Sequence, residues 1–115
     1  MNRSAFRLAL APFLLIATPM LVAAQSAPAA SMPPAPFKTN CVMCHGSDGT
    51  GNTTMGTQLK ATNLHSSEVH KLGVQAIKKV ISEGKGNMPP FGGQLTDAEI
   101  TQLAQYVHSL PKSKP

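Results

Sequence analysis

The feature that most constrains this chain is a pair of cysteines, Cys41 and Cys44, which His45 follows directly. They are the only 2 cysteines among 115 residues, so a framework of several disulfides is excluded. A structural zinc site built of thiolates alone is excluded as well, because it takes more cysteines than the chain has. Any function assigned to this motif must therefore use two thiols and one imidazole within a single short stretch.

The spacing C-x-x-C-H is typical of covalent haem attachment. On a helical turn, side chains three residues apart lie on one face, so both sulfurs can bond to the vinyl carbons along one edge of a porphyrin. His45, next to the second anchor, would then lie under the centre of the ring, where an imidazole nitrogen can bind iron. We therefore expect Cys41 and Cys44 to hold one haem c through thioethers and His45 to ligate its iron.

Two other uses of the cysteine pair remain open on the motif alone. A thioredoxin-like redox pair typically follows a strand, whereas a proline-rich segment precedes Cys41. A zinc site could combine the two cysteines with His65 and His70, but the interval between Cys44 and His65 is longer than the usual finger spacing. Both alternatives fit the sequence less well than haem attachment does.

A haem iron with one histidine beneath it needs either a sixth ligand or an open site above it. Met88 is the candidate ligand, and it lies in the segment Gly86-Asn87-Met88-Pro89-Pro90-Phe91. The prolines after it hold the chain extended, which suits a rigid strap that holds one sulfur against a metal. Met55, in a glycine-rich stretch, is a weaker alternative, and so is each of the three histidines outside the motif.

The first residues of the chain, 1–24, have the pattern of a signal peptide. Arg3 and Arg7 precede an apolar stretch from Leu8 to Val22, and small residues precede a predicted cleavage before Gln25. We therefore expect an exported, periplasmic protein, which would contact a membrane only if this segment stayed uncleaved.

Charge and composition argue against a nucleic-acid partner. Of the 10 basic residues, two are the arginines of the predicted signal peptide, so eight lysines face 5 acidic residues and the net charge falls from +5 to +3. The mature chain would have no arginine, and the sequence has 0 tryptophans and 1 tyrosine. A nucleic-acid-binding surface is expected to combine clustered arginines with stacking aromatic residues.

The remainder of the chain divides into a linker, one domain and a tail. Residues 25–36 contain four prolines with alanine and serine between them, which predicts an extended, solvated linker. We expect a single domain over residues 37–110 and a C-terminal tail over 111–115. A domain of this size has little core of its own, so a bound macrocycle would supply much of its apolar interior.

Three helical segments are predicted within the domain. The first, from Phe37 to about His45, carries the cysteines, and the second spans Ser67 to Glu83 with Gly73 as a candidate break. The third follows a capping box at Thr96–Glu99 and ends at a proline. Residues 46–63 are predicted to form a long loop of the kind that wraps around a ligand, and no stretch alternates as a strand does.

With these residues in view, the chain resembles the small, soluble class I cytochromes c of the bacterial type. The resemblance covers residues 37–110: Cys41–Gly46 looks like the attachment site, Asp48–Gly51 like the haem-wrapping loop and Asn87–Pro89 like the strap of the distal ligand. It implies an all-α cytochrome c fold, with three to four helices wrapped around one covalently bound haem.

The resemblance also implies a contact of Phe37 with Leu103 and Tyr106, between the first and last helices. The chain departs from the family pattern in two respects. Prolines before Phe37 shorten the first helix, and the domain has neither arginine nor tryptophan, which partner the haem propionates in the larger mitochondrial-type members.

The function that the resemblance implies is that of a soluble, monomeric electron carrier, and not of an enzyme. Iron held by a histidine and a methionine changes oxidation state without changing ligands, and it leaves no place for a substrate. The expected partners are redox proteins, such as a membrane oxidase or dehydrogenase. The alternatives are a haem subunit of a larger redox complex and an open-site cytochrome in which Met88 detaches to admit a gas or peroxide.

Overall fold

The computed structural model describes residues 32–113, and within that range the chain is helical. The helices are α1 (Ala35–Asn40), α2 (Val42–His45), α3 (Thr54–Leu59), α4 (Ser67–His70), α5 (Val74–Glu83) and α6 (Asp97–Ser109). The described residues form no strand, only two isolated bridges. This confirms the predicted all-α class. The predicted signal peptide, residues 25–31 of the predicted linker and the last two residues of the predicted tail lie outside the described residues.

The first helix begins slightly earlier than the sequence predicts. α1 starts at Ala35, with Pro34 as its N-cap and Pro36 in its first turn. Proline is tolerated there because the N–H groups of the first turn have no partner within the helix. The helix therefore takes in the last two residues of the predicted linker.

Two of the three predicted helices are divided in the structure. Cys41 separates α1 from α2, but its carbonyl still accepts the N–H of His45 at 2.8 Å, so a helical turn continues through the motif. Gly73 separates α4 from α5 and forms the N-cap of α5. The predicted break at Gly73 is therefore confirmed, in line with the high backbone entropy that glycine loses inside a helix.

The predicted long loop over residues 46–63 is wrong in one respect, because it contains α3. The hydroxyl of Thr53 accepts the N–H of Gly56 at 2.8 Å and donates to the carbonyl of Met43 at 2.7 Å, which caps α3 and ties it to α2. Gly56 is buried, and a Cβ at this position would collide with the carbonyl oxygen of Cys44. Since glycine and threonine have low helix propensity, the sequence pattern favoured a loop.

The core joins the first and last helices with α5. The edge of one aromatic ring meets the face of another where Phe37 packs on Tyr106, with ring centroids 4.9 Å apart. Phe37 and Leu103 are each only 1% exposed and belong to the same apolar cluster, which confirms the predicted contact between these helices. The predicted capping box is also present. The Glu99 carboxylate accepts the backbone N–H of Thr96 at 2.8 Å, and the Thr96 hydroxyl accepts the backbone N–H of Glu99 at 3.3 Å.

Candidate haem site

The cysteine pair lies on the turn that connects α1 and α2. The carbonyl of Cys41 accepts the N–H of Cys44 at 3.2 Å, which holds the two residues on one helical turn, and both thiols are free and half-buried. Burial, and secondarily the neighbouring Cys44, raises the pKa of the Cys41 thiol to about 11. Cys41 therefore remains an uncharged thiol at neutral pH in the protein without a cofactor.

His45 is oriented by a backbone carbonyl from a distant part of the chain. Its Nδ1 lies 3.1 Å from the carbonyl oxygen of Thr62. A carbonyl only accepts hydrogen bonds, so Nδ1 donates, and in the neutral ring Nε2 keeps its lone pair. Burial lowers the pKa of His45 and outweighs the opposite effect of the hydrogen bond to Thr62. The neutral imidazole that binds metals is thereby favoured.

Thr62 is brought beside His45 by residues 46–53, which we call the proximal loop. The N–H of Gly51 donates to the carbonyl of His45 at 2.7 Å, and the N–H of Leu64 donates to the carbonyl of Gly49 at 2.8 Å. Gly51 has a positive φ of 77°, and a Cβ there would lie 2.7 Å from the carbonyl oxygen of Ala61. Glycine therefore allows the two stretches of chain to approach closely enough for Thr62 to reach the imidazole.

The candidate distal ligand lies in residues 84–92, which we call the strap. Lys85 and Met88 exchange two backbone hydrogen bonds of 3.1 and 3.0 Å, so the chain reverses between them. Gly86 lies in this turn with φ of 58°, a conformation that glycine adopts without steric cost. The turn fixes the backbone of Met88, whose half-buried side chain packs against the core.

The strap is tied at two further points. The N–H of Phe91 donates to the carbonyl of Ile81 at 3.0 Å, which anchors the strap to the end of α5. The side-chain amide of Asn87 donates to the carbonyl of Leu59 at 2.9 Å, which anchors it to the end of α3. Met88 is therefore presented by a segment that is held on both sides.

The alternative iron ligands differ in their exposure and in their hydrogen bonds. Met55 is 38% exposed on α3, and His108 is exposed in the last turn of α6. Both ring nitrogens of His65 lie within hydrogen-bond distance of backbone carbonyls, so this ring is engaged elsewhere. Within residues 32–113, no three His, Cys, Asp or Glu side chains are grouped as metal ligands, which argues against the zinc alternative.

A haem fits the side chains that surround these groups. Several apolar side chains are only half-buried and pack against the core cluster: Cys41, Val42, Val74, Met88, Phe91, Leu95 and Leu110. A porphyrin has broad apolar faces, so it would remove this surface from water. His70, the remaining alternative ligand, has a buried Nε2 without a hydrogen-bond partner among the described residues.

Two contributors to the site could not be found from the sequence. Thr62 acts through its backbone carbonyl, which every residue type has, so no side-chain signal marks it. Asn87 precedes the candidate ligand and was seen only as part of the strap, and its partner Leu59 lies in a helix that the pattern did not indicate.

The chain is similar to known c-type cytochromes over most of its length. Residues 28–107 match the family described as cytochrome C oxidase, cbb3-type, subunit III. The cbb3-type cytochrome c oxidase subunit FixP of Bradyrhizobium diazoefficiens is 41% identical over 81 residues, which are 68% of this chain and 26% of FixP. The cytochrome c6 of Porphyra purpurea is 38% identical over 74 residues, which are 64% of each chain.

Two further proteins are covered more completely. The cytochrome c6 of Leptolyngbya boryana is 39% identical over 71 residues, which are 62% of this chain and 80% of that protein. The solved structure of the KustC0563 c-type cytochrome superposes with a TM-score of 0.59 at 32% identity, covering 66% of this chain and 93% of that one. This chain nevertheless spans less than two thirds of FixP and of the Porphyra protein, with 26% and 64% covered.

Proposed function

Since this chain belongs to the cytochrome c family described as cytochrome C oxidase, cbb3-type, subunit III, we propose that it carries single electrons between redox proteins in the periplasm. It is a small class I cytochrome c with one haem, and its fold is the cytochrome c fold. The predicted signal peptide supports export. Among the described helices, none is long and apolar enough to cross a membrane.

The cofactor is haem c, and we assign its binding to four residues, two that attach the ring and two that ligate the iron. Cys41 and Cys44 would hold the ring through thioethers, while Nε2 of His45 and the sulfur of Met88 would ligate the iron. The bound haem supplies an iron that takes up or releases one electron. The tie of His45 to Thr62, at 3.1 Å, and the anchored strap hold both ligands in place.

The protein contributes to this function by keeping the iron ligands and the apolar surround of the haem unchanged when an electron is gained or lost. Thr62 fixes the tautomer and orientation of His45, and the strap fixes the backbone of Met88. With both His45 and Met88 as ligands, the iron would have no coordination position left for a substrate. A thioether ligand and an apolar surround both favour the reduced metal, so they raise the reduction potential. These properties suit an electron carrier and not an enzyme.

The observation that carries the proposal is the hydrogen bond from Nδ1 of His45 to Thr62, because it leaves Nε2 free to ligate iron. The test is optical spectroscopy of the full chain, matured with haem in an exporting host. The oxidised protein should show the far-red band of methionine bound to ferric haem, and the reduced protein should not react with carbon monoxide. Carbon monoxide binding by the unaltered protein would instead favour the open-site alternative.

A second candidate function is that of a haem module within a larger redox complex. The family match and the similarity to FixP, of which this chain covers 26%, favour it. Gel filtration of a native extract separates the two candidates. A carrier elutes at the size of the single chain, whereas a permanent subunit elutes with its complex after the membrane fraction is solubilised.

A further inference from the structure

His65 contacts two segments of chain that lie far from it in sequence. Its Nδ1 is 2.6 Å from the carbonyl oxygen of Pro111, and its Nε2 is 2.5 Å from the carbonyl oxygen of Asp48. Both partners are backbone carbonyls, which accept hydrogen bonds but cannot donate them. A neutral imidazole has one N–H and can satisfy only one of these contacts, whereas the doubly protonated ring satisfies both.

We propose that His65 is a protonation-dependent clasp, in which the doubly protonated ring fastens the proximal loop to residues 110–113, the C-terminal segment, and loss of one proton releases one of the two.

The surrounding contacts fit a clasp because each segment has a second tie to the same short stretch of chain. The carbonyl of His65 accepts the N–H of Ser113 at 2.8 Å and its hydroxyl at 3.0 Å. On the other side, the N–H of Leu64 donates to the carbonyl of Gly49 at 2.8 Å. Losing a ring contact would therefore loosen a segment without detaching it.

Packing between these segments is close at the clasp. A Cβ added to Gly49 would lie 3.3 Å from Nε2 of His65 and 3.4 Å from Cδ1 of Leu110. The ring thus lies where the proximal loop meets the end of the chain that follows α6. The loop also binds the attachment motif, because the N–H of Gly51 donates to the carbonyl of His45. The proximal loop therefore contacts both the His65 ring and the attachment motif.

Titratable groups are present on the two segments that His65 contacts and on the neighbouring helices. Asp48 is on the proximal loop, and its pKa is lowered mainly by the backbone and hydroxyl of Thr50, with a smaller contribution from His65. Lys112 lies between the two C-terminal residues that contact His65, and His108 lies on α6. Glu68 follows on α4. Among the described residues, only the two carbonyls lie within hydrogen-bond distance of the ring nitrogens.

The direction of the pH effect follows from the proton count. The fastened state holds one more proton than the released state, so it is favoured at low pH and lost as the pH rises. The clasp does not depend on which residues ligate the iron.

The test uses the haem-loaded full chain with nitrogen-labelled histidines. Nuclear magnetic resonance at about pH 5 should show protons on both ring nitrogens of His65, and at about pH 8 on only one. Amide hydrogen exchange, corrected for its intrinsic pH dependence, should become about tenfold faster at Ser113 or Gly51 over the same range, as expected for loss of one hydrogen bond from a charged donor.

Two variants control this experiment. In His65→Gln the side-chain amide can donate to only one carbonyl site, so exchange should be fast and no longer depend on pH. In His108→Gln, a change at an exposed position on α6, the pH response of the unaltered protein should persist. If His65→Gln does not fold, the nitrogen spectra of the unaltered protein still decide. A ring with one proton throughout, or corrected exchange rates that are equal at both pH values, would overturn the proposal.

Discussion

The side-chain amide of Asn87 donates a hydrogen bond of 2.9 Å to the backbone carbonyl of Leu59. This bond joins the strap to α3, and it lies one residue before the proposed iron ligand. Asn87→Asp keeps the size of the side chain but removes the donor. We expect the strap to lose about 1 kcal/mol of stabilisation. In a thermal melt, the far-red band of Met88 bound to iron should therefore disappear at a lower temperature than in the unaltered protein.

The matched control for this change is Gln105→Ala, at an exposed position of α6. It should leave the melting of the far-red band unchanged. Equal melting of Asn87→Asp and the unaltered protein would show that the hydrogen bond to Leu59 does not hold the strap.

The identity of the distal ligand is tested by a pair of methionine changes. Met88→Ala should abolish the far-red band and allow the reduced protein to bind carbon monoxide, because the iron loses its only proposed ligand on that side. Met55→Ala should change neither property, since Met55 is 38% exposed on α3. If Met55→Ala lost the band and Met88→Ala kept it, Met55 and not Met88 would be the iron ligand.

Covalent attachment is tested by mass and by extraction. The mature protein should be heavier than its polypeptide by one haem, and acidic acetone should leave the colour with the protein. Cys44→Ser should give at most a singly linked, unstable product, because one thioether can no longer form. Extraction of all the colour from the unaltered protein would exclude thioethers at Cys41 and Cys44.

The contact between the first and last helices should dominate stability. Phe37 is 1% exposed, so Phe37→Ala should lower the free energy of unfolding by about 3–5 kcal/mol. Met43→Ala is the control, since Met43 is 71% exposed and its loss should matter by no more than about 0.5 kcal/mol. Denaturant titration of the haem-loaded protein measures both. Similar losses for the two variants would mean that the aromatic pair does not anchor the fold.

We expect lysines on α5 and in the strap to form a docking surface for an acidic redox partner. Lys79 and Lys85 are exposed, whereas Lys78 forms an ion pair of 2.7 Å with Asp97. Changing Lys79 and Lys85 to Glu should slow reduction by the partner at low salt and leave the spectrum unchanged, because only long-range steering is lost. Screening should reduce the difference as the Debye length falls from about 30 Å at 0.01 M to about 8 Å at 0.15 M.

Stopped-flow rates measure this effect, with the double change of Lys38 and Lys112 to Glu as the control, because both are exposed and the net charge changes equally. If this control slows reduction as much as the changes at Lys79 and Lys85, net charge and not the position of the lysines decides the rate. If neither change has an effect, the partner docks on another face.

Features encoded within a few residues could be predicted from the sequence. The capping box at Thr96 and the break at Gly73 depend on local backbone chemistry, so the residue types reveal them. α3 was missed because Thr53 ties it to the carbonyl of Met43 and Gly56 lets it approach Cys44 closely, tertiary features that override weak propensity. The ion pair of Lys78 with Asp97 could not be predicted either, because the sequence does not show which of the adjacent residues Lys78 and Lys79 would face Asp97.

The site divides in the same way. The attachment motif is local, and its residues could be named from the sequence. The groups that orient them are not local: Thr62 contacts His45 across 17 positions, and Asn87 contacts Leu59 across 28. Both contacts use a backbone carbonyl as the acceptor, which every residue type has, so only the folded chain reveals them.

The aromatic contact between Phe37 and Tyr106 joins residues from nearly the two ends of the described domain. Closing a loop of that length has an entropic cost that must be met before the contact contributes anything. The pair is therefore expected to form late in folding, after shorter loops have closed, and to contribute more to slow unfolding than to rapid folding. A partly synthesised chain that ends before α6 would lack this contact, so the domain should acquire its resistance to unfolding only when its last helix has been added.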